Sequence, residues 1–226
     1  MYRAVIFDLD GTLVDTEPLY ERSWKNAAAR LGYDLTHELF RSMIGLSKKT
    51  DREVLCSHFG QSFPMEDFLA LSDQEFDRTV TLEGISLKAG VNECLDMLDE
   101  RRIPKAIATA RYRKEADHRL KYAGIAERFT AIVSCDDVQN GKPAPDTYQK
   151  AAALLKTDPN KCIVIEDSDT GVFGAHASGA LPIMVPDLKQ PSPEATALAY
   201  GVFSSMSEAA ELLDLLLPGL PTNRLR

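Results

Sequence analysis

The sequence predicts an α/β fold, a parallel sheet covered by helices on both faces, with an all-helical domain inserted after the first strand. Three observations predict it. The continuous apolar run Val5-Ile6-Phe7 ends in Asp8-Leu9-Asp10-Gly11, as a short buried strand would end at the rim of a parallel sheet. No strand pattern appears between Asp15 and Gly84. From Gly84 onward, short apolar runs alternate with segments of helical period, which is the rhythm of parallel strands joined by crossover helices.

The elements follow in order. After the first strand, Thr16 stands as a helix N-cap with Glu17 and Pro18 in the first turn. Leu19, Trp24, Ala27, Ala28 and Leu31 recur at helical spacing, and Gly32 ends the helix. Amphipathic helices are expected over 36–43, 47–59 and 64–82. The insert thus spans 16–83, about 65–70 residues, a small domain; the α/β core takes 1–15 and 84–226. Within the core, strands are expected over 105–109, 131–134, 162–166 and 182–185, and helices over 91–101, 113–123, 146–155, 171–178 and 206–217. The tail 218–226 is expected to fray.

Composition narrows the class. At 44% hydrophobic and 27% charged residues the chain has an ordinary globular balance. A net charge of -8 without a basic tract argues against a nucleic-acid partner. Cys56, Cys94, Cys135 and Cys162 form no CxxC pair and read as reduced packing residues of a cytoplasmic protein. No apolar run reaches the length of about 18 residues that a membrane helix needs, and Met1-Tyr2-Arg3 leads straight into the strand, leaving no room for a signal peptide.

Polar residues at the strand ends carry the chemistry. Asp8 and Asp10 follow the first strand; Thr109 ends the 105–109 strand; Lys142 lies in Gly141-Lys142-Pro143-Ala144-Pro145-Asp146; Glu166-Asp167-Ser168 ends the 162–166 strand. In a parallel sheet these ends converge on one rim. Four carboxylates around one lysine leave excess negative charge, and an oxygen-only donor set favours Mg2+ over zinc. A dication, a lysine and a hydroxyl suit a phosphoryl group. One carboxylate can act as nucleophile and a second as general acid and base. Ser168 and Asp169 read as a helix cap; Asp136 and Asp137 read either as loop-structuring acids or as acids that support the residues of the site. The four histidines, His37, His58, His118 and His176, lie on expected helices away from the motifs.

Asp8-Leu9-Asp10-Gly11-Thr12, Thr109, Lys142 and Glu166-Asp167-Ser168 resemble, in order, the four motifs of the haloacid dehalogenase superfamily, and the resemblance covers nearly the whole chain. It implies a Rossmann-like core with an inserted four-helix cap. Val14-Asp15-Thr16-Glu17-Pro18 and Gly141-Lys142-Pro143-Ala144-Pro145-Asp146 are similar to the branch that holds beta-phosphoglucomutase and small sugar-phosphate phosphatases. The resemblance implies Asp8 as nucleophile and Mg2+ ligand, and Asp10 as general acid/base with its backbone carbonyl on the metal. It implies Thr109 and the adjoining Ala110 on the phosphoryl oxygens, Lys142 holding Asp8 to the phosphate, and Asp167 on the metal, with Glu166 a direct ligand or a partner of the ligands. Asp15 either holds the loop or serves the hinge into the cap.

Substrate choice is expected to lie in the cap and in the loop after Thr109. Gly45-Leu46-Ser47-Lys48-Lys49 resembles a cap loop that presents an arginine to the substrate's distal phosphate in the mutase; Lys48, a point charge and not a bidentate fork, takes that place. Tyr20 stands where the mutase has a histidine. Arg111 either binds an anionic substrate or pairs with a surface acid. These departures favour a Mg2+-dependent phosphatase of small phosphomonoesters, sugar phosphates in particular, acting through an aspartyl-phosphate, over a hexose phosphomutase. The expected partner is a small phosphorylated metabolite, with no nucleic acid and no membrane, and the expected state is a monomer or weak homodimer.

Overall fold

A computed structural model of the chain describes residues 1–44 and 48–219; the side chains of Lys48 and Lys49 lie outside the description, as do Gly45, Leu46 and Ser47 of the cap loop and the 220–226 part of the tail. Two compact units form, Met1–Val14 with Ser86–Arg226, and Asp15–Ile85. In chain order the elements are β1 (Ala4–Phe7), α1 (Glu17–Arg30), α2 (His37–Met43), α3 (Lys48–Phe59), α4 (Met65–Glu83), α5 (Val91–Glu100), β2 (Lys105–Ala108), α6 (Arg113–Ala123), β3 (Ala131–Val133), α7 (Asp146–Leu154), β4 (Cys162–Glu166), α8 (Asp169–Ser178), β5 (Leu181–Met184), α9 (Pro193–Leu198), β6 (Gly201–Val202) and α10 (Met206–Leu216).

In the first unit, the described residues form a six-stranded parallel sheet in the order β3-β2-β1-β4-β5-β6. The order reverses direction beside β1, at the switch point where open α/β sheets bind ligands. β1 and β4 are buried at every residue, because helices cover both faces of the sheet. Tyr148, Ala151, Ala152 and Leu155, from α7 and its end, pack on Ala4, Ile6, Ala106, Ala108 and Val164 of the strands. The alanines on both sides let this helix lie close to the sheet. Register then fixes the site: Phe7 pairs with Ile165, and the Asp8 N–H donates to the Ile165 carbonyl at 3.0 Å, so Asp8 leaves the sheet beside Glu166.

The second unit is a helical domain built on an aromatic core. Trp24 of α1 meets Phe40 and Phe68 edge-on, with ring centroids 5.7 and 5.5 Å apart, and Phe63 stacks on Phe59 at 5.0 Å. Edge-to-face pairs of this kind add roughly 0.5–1.5 kcal/mol each beyond the area they bury. Tyr20 stacks on Phe76 at 4.5 Å, so this residue, singled out in the sequence, packs against α4. Arg30 pairs with the buried Glu75 at 2.9 Å, tying α1 to α4 a second time.

Several local expectations change. Thr16 precedes α1 with helical dihedrals and makes no side-chain cap bond; Pro18 in the first turn removes one of the donors a cap would satisfy. α9 and β6 lie between the expected 182–185 strand and 206–217 helix, where the sequence pattern marks no element. Ser192 accepts from the Ala195 N–H at 3.1 Å and Pro193 opens the helix. Among the described residues no helix is long and apolar enough to cross a membrane.

Candidate active site

Asp8, Glu166 and Asp167 come together at the carboxyl ends of β1 and β4, each offering an oxygen within 4.8 Å of the others. Lys142 reaches the cluster from the loop before α7. Its Nζ donates to Asp8 Oδ1 and, at 2.5 Å, to Glu166 Oε1. Burial opposes the Lys142 charge, but Asp8 and Glu166 outweigh it and hold the ammonium well above its ordinary range. One lysine cannot balance three carboxylates. Burial first, then the charges of Glu166 and Asp10, push the Asp8 carboxyl up to about 7 against the pull of Lys142. Burial, then Asp8 and Glu166, push Asp167 well above the usual carboxylate range. A dication would relieve this crowding, and the all-oxygen donor set fits a hard one such as Mg2+.

Glu166 has no exposed surface, and its oxygens are already engaged. Tyr148 Oη donates to Oε1 at 2.5 Å; the Ser168 hydroxyl donates to Oε2 at 3.0 Å and its N–H at 3.4 Å. Glu166 is therefore built as the anchor of Lys142. Its carboxylate also rests against the first turn of α8, where a Cβ on Gly171 would collide with it. The Ser168 hydroxyl accepts from the Gly171 N–H at 3.1 Å, the cap that the sequence predicts. Tyr148→Phe keeps the ring beside Lys142, whose Nζ lies 5.3 Å from the ring centre, and removes one bond to a buried charge. A loss of about 1.5–3 kcal/mol of stability is expected in thermal unfolding.

Gly11 makes the close approach possible. Its φ of +84° suits glycine, and a Cβ there would collide with the Asp167 carboxylate. Asp187, in the loop after β5, also faces Gly11 and is held by Lys88 at 2.6 Å.

Two arginines hold the Asp10 carboxylate. Arg111 Nε donates to Oδ2 at 3.1 Å and Arg119 Nε to Oδ1 at 2.9 Å. Arg111 thus has Asp10 as an acid partner. Thr109 is buried at the end of β2; its N–H donates to the Val133 carbonyl at 2.9 Å, and its Oγ1 accepts from the Arg111 N–H at 3.1 Å. Ala110 is exposed. Lys48 opens α3 in the helical unit, and its side chain lies outside the described residues. Asp137 holds Ser134 through its hydroxyl at 2.6 Å, and Asp136 accepts from the Arg113 N–H at 2.9 Å, so both acids brace the loop after β3.

Sequence reasoning missed Tyr148 and Arg119. Tyr148 lies on the apolar face of an expected helix, and nothing local separates it from a packing residue. Arg119 carried a signal: it follows Ala116 by three and precedes Leu120 on the inward face of α6, and a charge in an apolar stripe needs a partner.

The model of the haloacid dehalogenase-like hydrolase family matches residues 5–185. The phosphorylated carbohydrates phosphatase of Thermotoga maritima is 32% identical over 211 residues, covering 93% of this chain and 90% of that one. Hexitol phosphatase A of Escherichia coli is 34% identical over 183 residues, covering 81% and 82%. Among solved structures, a Thermotoga maritima protein assigned as a beta-phosphoglucomutase superposes with a TM-score of 0.83 at 30% identity, covering 94% of this chain and 99% of its own.

Proposed function

The chain belongs to the haloacid dehalogenase-like hydrolase family, and from that premise we propose that it is a Mg2+-dependent phosphatase of small sugar phosphates that works through an aspartyl-phosphate. The observation that carries the reading is Lys142, which bonds Asp8 and Glu166 together inside a buried carboxylate cluster. Asp8, Asp167 and the Asp10 carbonyl would hold the metal, with Glu166 keeping Lys142 in place. When bound, Mg2+ neutralises charge on the phosphoryl oxygens and on the carboxylates that face them.

The residues divide the work. Lys142 favours the ionised form of Asp8 against the burial that opposes it, and an Asp8 oxygen attacks phosphorus. As the bond from phosphorus to the leaving oxygen breaks, the Asp10 carboxyl gives that oxygen its proton and the alcohol departs. The Thr109 hydroxyl accepts from the Arg111 N–H and keeps its own hydrogen to donate to a phosphoryl oxygen. In the second half, Asp10 takes a proton from water as that water attacks phosphorus. The Asp8–phosphate bond breaks, and phosphate leaves.

Sugar or sugar-alcohol phosphates are the proposed substrates, in keeping with the names of the phosphatase relatives. The likeness to a protein assigned as a beta-phosphoglucomutase supports phosphoryl transfer between sugar hydroxyls as the second reading. Phosphate release from a panel of hexose, pentose and hexitol phosphates with Mg2+ decides between them. The hydrolase reading expects stoichiometric phosphate, whereas conversion of beta-glucose 1-phosphate to glucose 6-phosphate without net phosphate would favour the mutase. Mg2+ at about 100 times its dissociation constant is expected to stabilise the fold by about 2.7 kcal/mol, read by thermal unfolding with and without a chelator. No shift would remove the metal from the account.

A further inference from the structure

The Asp10 carboxylate is gripped by two guanidinium groups, and the two differ in how they are held. Arg119 comes from α6 with its side chain only 4% exposed, and its Nη1 also donates to the Glu115 carbonyl of the same helix at 3.2 Å. Arg111 is 32% exposed and comes from the loop after β2, which is pinned by the Arg111 N–H on Thr109 Oγ1 and by the Cys135 N–H on the Arg111 carbonyl at 3.0 Å. Arg119 is thus the fixed anchor, and Arg111 is the outer hand of the clamp.

We propose that Arg119 is a positioning residue for proton transfer: its Nε bond to Asp10 Oδ1, completed by Arg111 on Oδ2, fixes the orientation of the Asp10 carboxylate. Asp10 lies on the loop after β1, where an aspartate side chain would otherwise rotate about two bonds. Two planar donors, one on each oxygen, remove that freedom before substrate arrives, the kind of preorganisation that proton transfer needs. A charge as buried as Arg119 also needs a counter-charge, so this contact has a structural role as well. The two roles separate in kinetics. The inference rests on the assignment of Asp10 as the proton donor of a phosphatase.

The test compares two esters with the Mg2+-loaded protein, the sugar phosphate that the wild type hydrolyses fastest and p-nitrophenyl phosphate. A sugar alkoxide needs a proton to leave; p-nitrophenolate does not. kcat/KM reports the steps up to departure of the leaving group. Arg119→Met is expected to lower kcat/KM about 100-fold for the sugar phosphate and less than about 5-fold for p-nitrophenyl phosphate, the loss expected when acid catalysis is misplaced. Asp10→Asn should show the same selectivity, and Arg119→Lys should recover part of the sugar-phosphate rate. Equal losses on both esters, or none, would overturn the clamp's role and leave the hydrolase reading standing. A wild type inactive on both esters would overturn the hydrolase reading and the clamp with it. If Arg119→Met does not fold, the same ratio read on Arg119→Lys decides the matter.

Discussion

Asp8→Asn is expected to lower kcat for phosphate release at least about 10⁴-fold, the scale seen when a covalent nucleophile is removed. The amide cannot supply the attacking oxygen anion, and the neighbouring Glu166 is committed to Lys142, Tyr148 and Ser168. The variant should still fold, because Glu166 continues to neutralise Lys142 and one member of the crowded cluster has lost its charge. Far-ultraviolet circular dichroism and a thermal melt beside the rate assay separate chemistry from folding. Retention of a tenth or more of the wild-type rate would mean that Asp8 does not attack.

Lys142→Met is expected to have the second-largest effect, on both activity and stability. Lys142 and Glu166 are almost wholly buried, at 4% and 0% side-chain exposure, and the lysine is the one cation bonded to both Asp8 and Glu166 among the described residues. Removing it leaves buried carboxylates without their counter-charge, which costs about 3–5 kcal/mol. For a chain of this size that lowers Tm by roughly 6–20 °C. Activity should fall at least about 100-fold, since a preorganised charge next to the phosphoryl group is gone. The double variant Lys142→Met/Glu166→Gln should recover much of the lost stability, because replacing both partners of a buried pair costs less than orphaning one. It should recover none of the activity. Thermal melts of the three proteins measure this; a double variant no more stable than the single one would show that Lys142 matters for packing and not for charge.

The parts of the site that were legible in the sequence are those that strand ends announce. An apolar run that stops in an acid, as at Phe7-Asp8 and Ile165-Glu166-Asp167, can be read locally because a buried strand and a costly charge leave opposite signatures. Parallel topology then brings those ends together without further information. Contacts from crossover helices were not legible. Tyr148 and Arg119 reach the site from α7 and α6, and which residue of a helix faces a strand end depends on packing that the helical period leaves open. The partner of Arg111 was undecided for the same reason: sequence shows a charge and not the direction of its side chain. At the element level, α9 was hidden because a Ser-Pro pair both makes turns and starts helices.

The central claim is that Asp8 takes the phosphoryl group. The most direct measurement mixes enzyme, Mg2+ and an excess of the best sugar phosphate, quenches in acid at intervals of milliseconds to seconds, and maps the phosphorylated peptide by mass spectrometry. The account predicts a transient phosphoryl group on the carboxylate of Asp8 that appears before free phosphate and is absent from Asp8→Asn. Phosphate release with no phosphoryl group on the Asp8 peptide at any time, or a phosphoryl group on another residue, would contradict it.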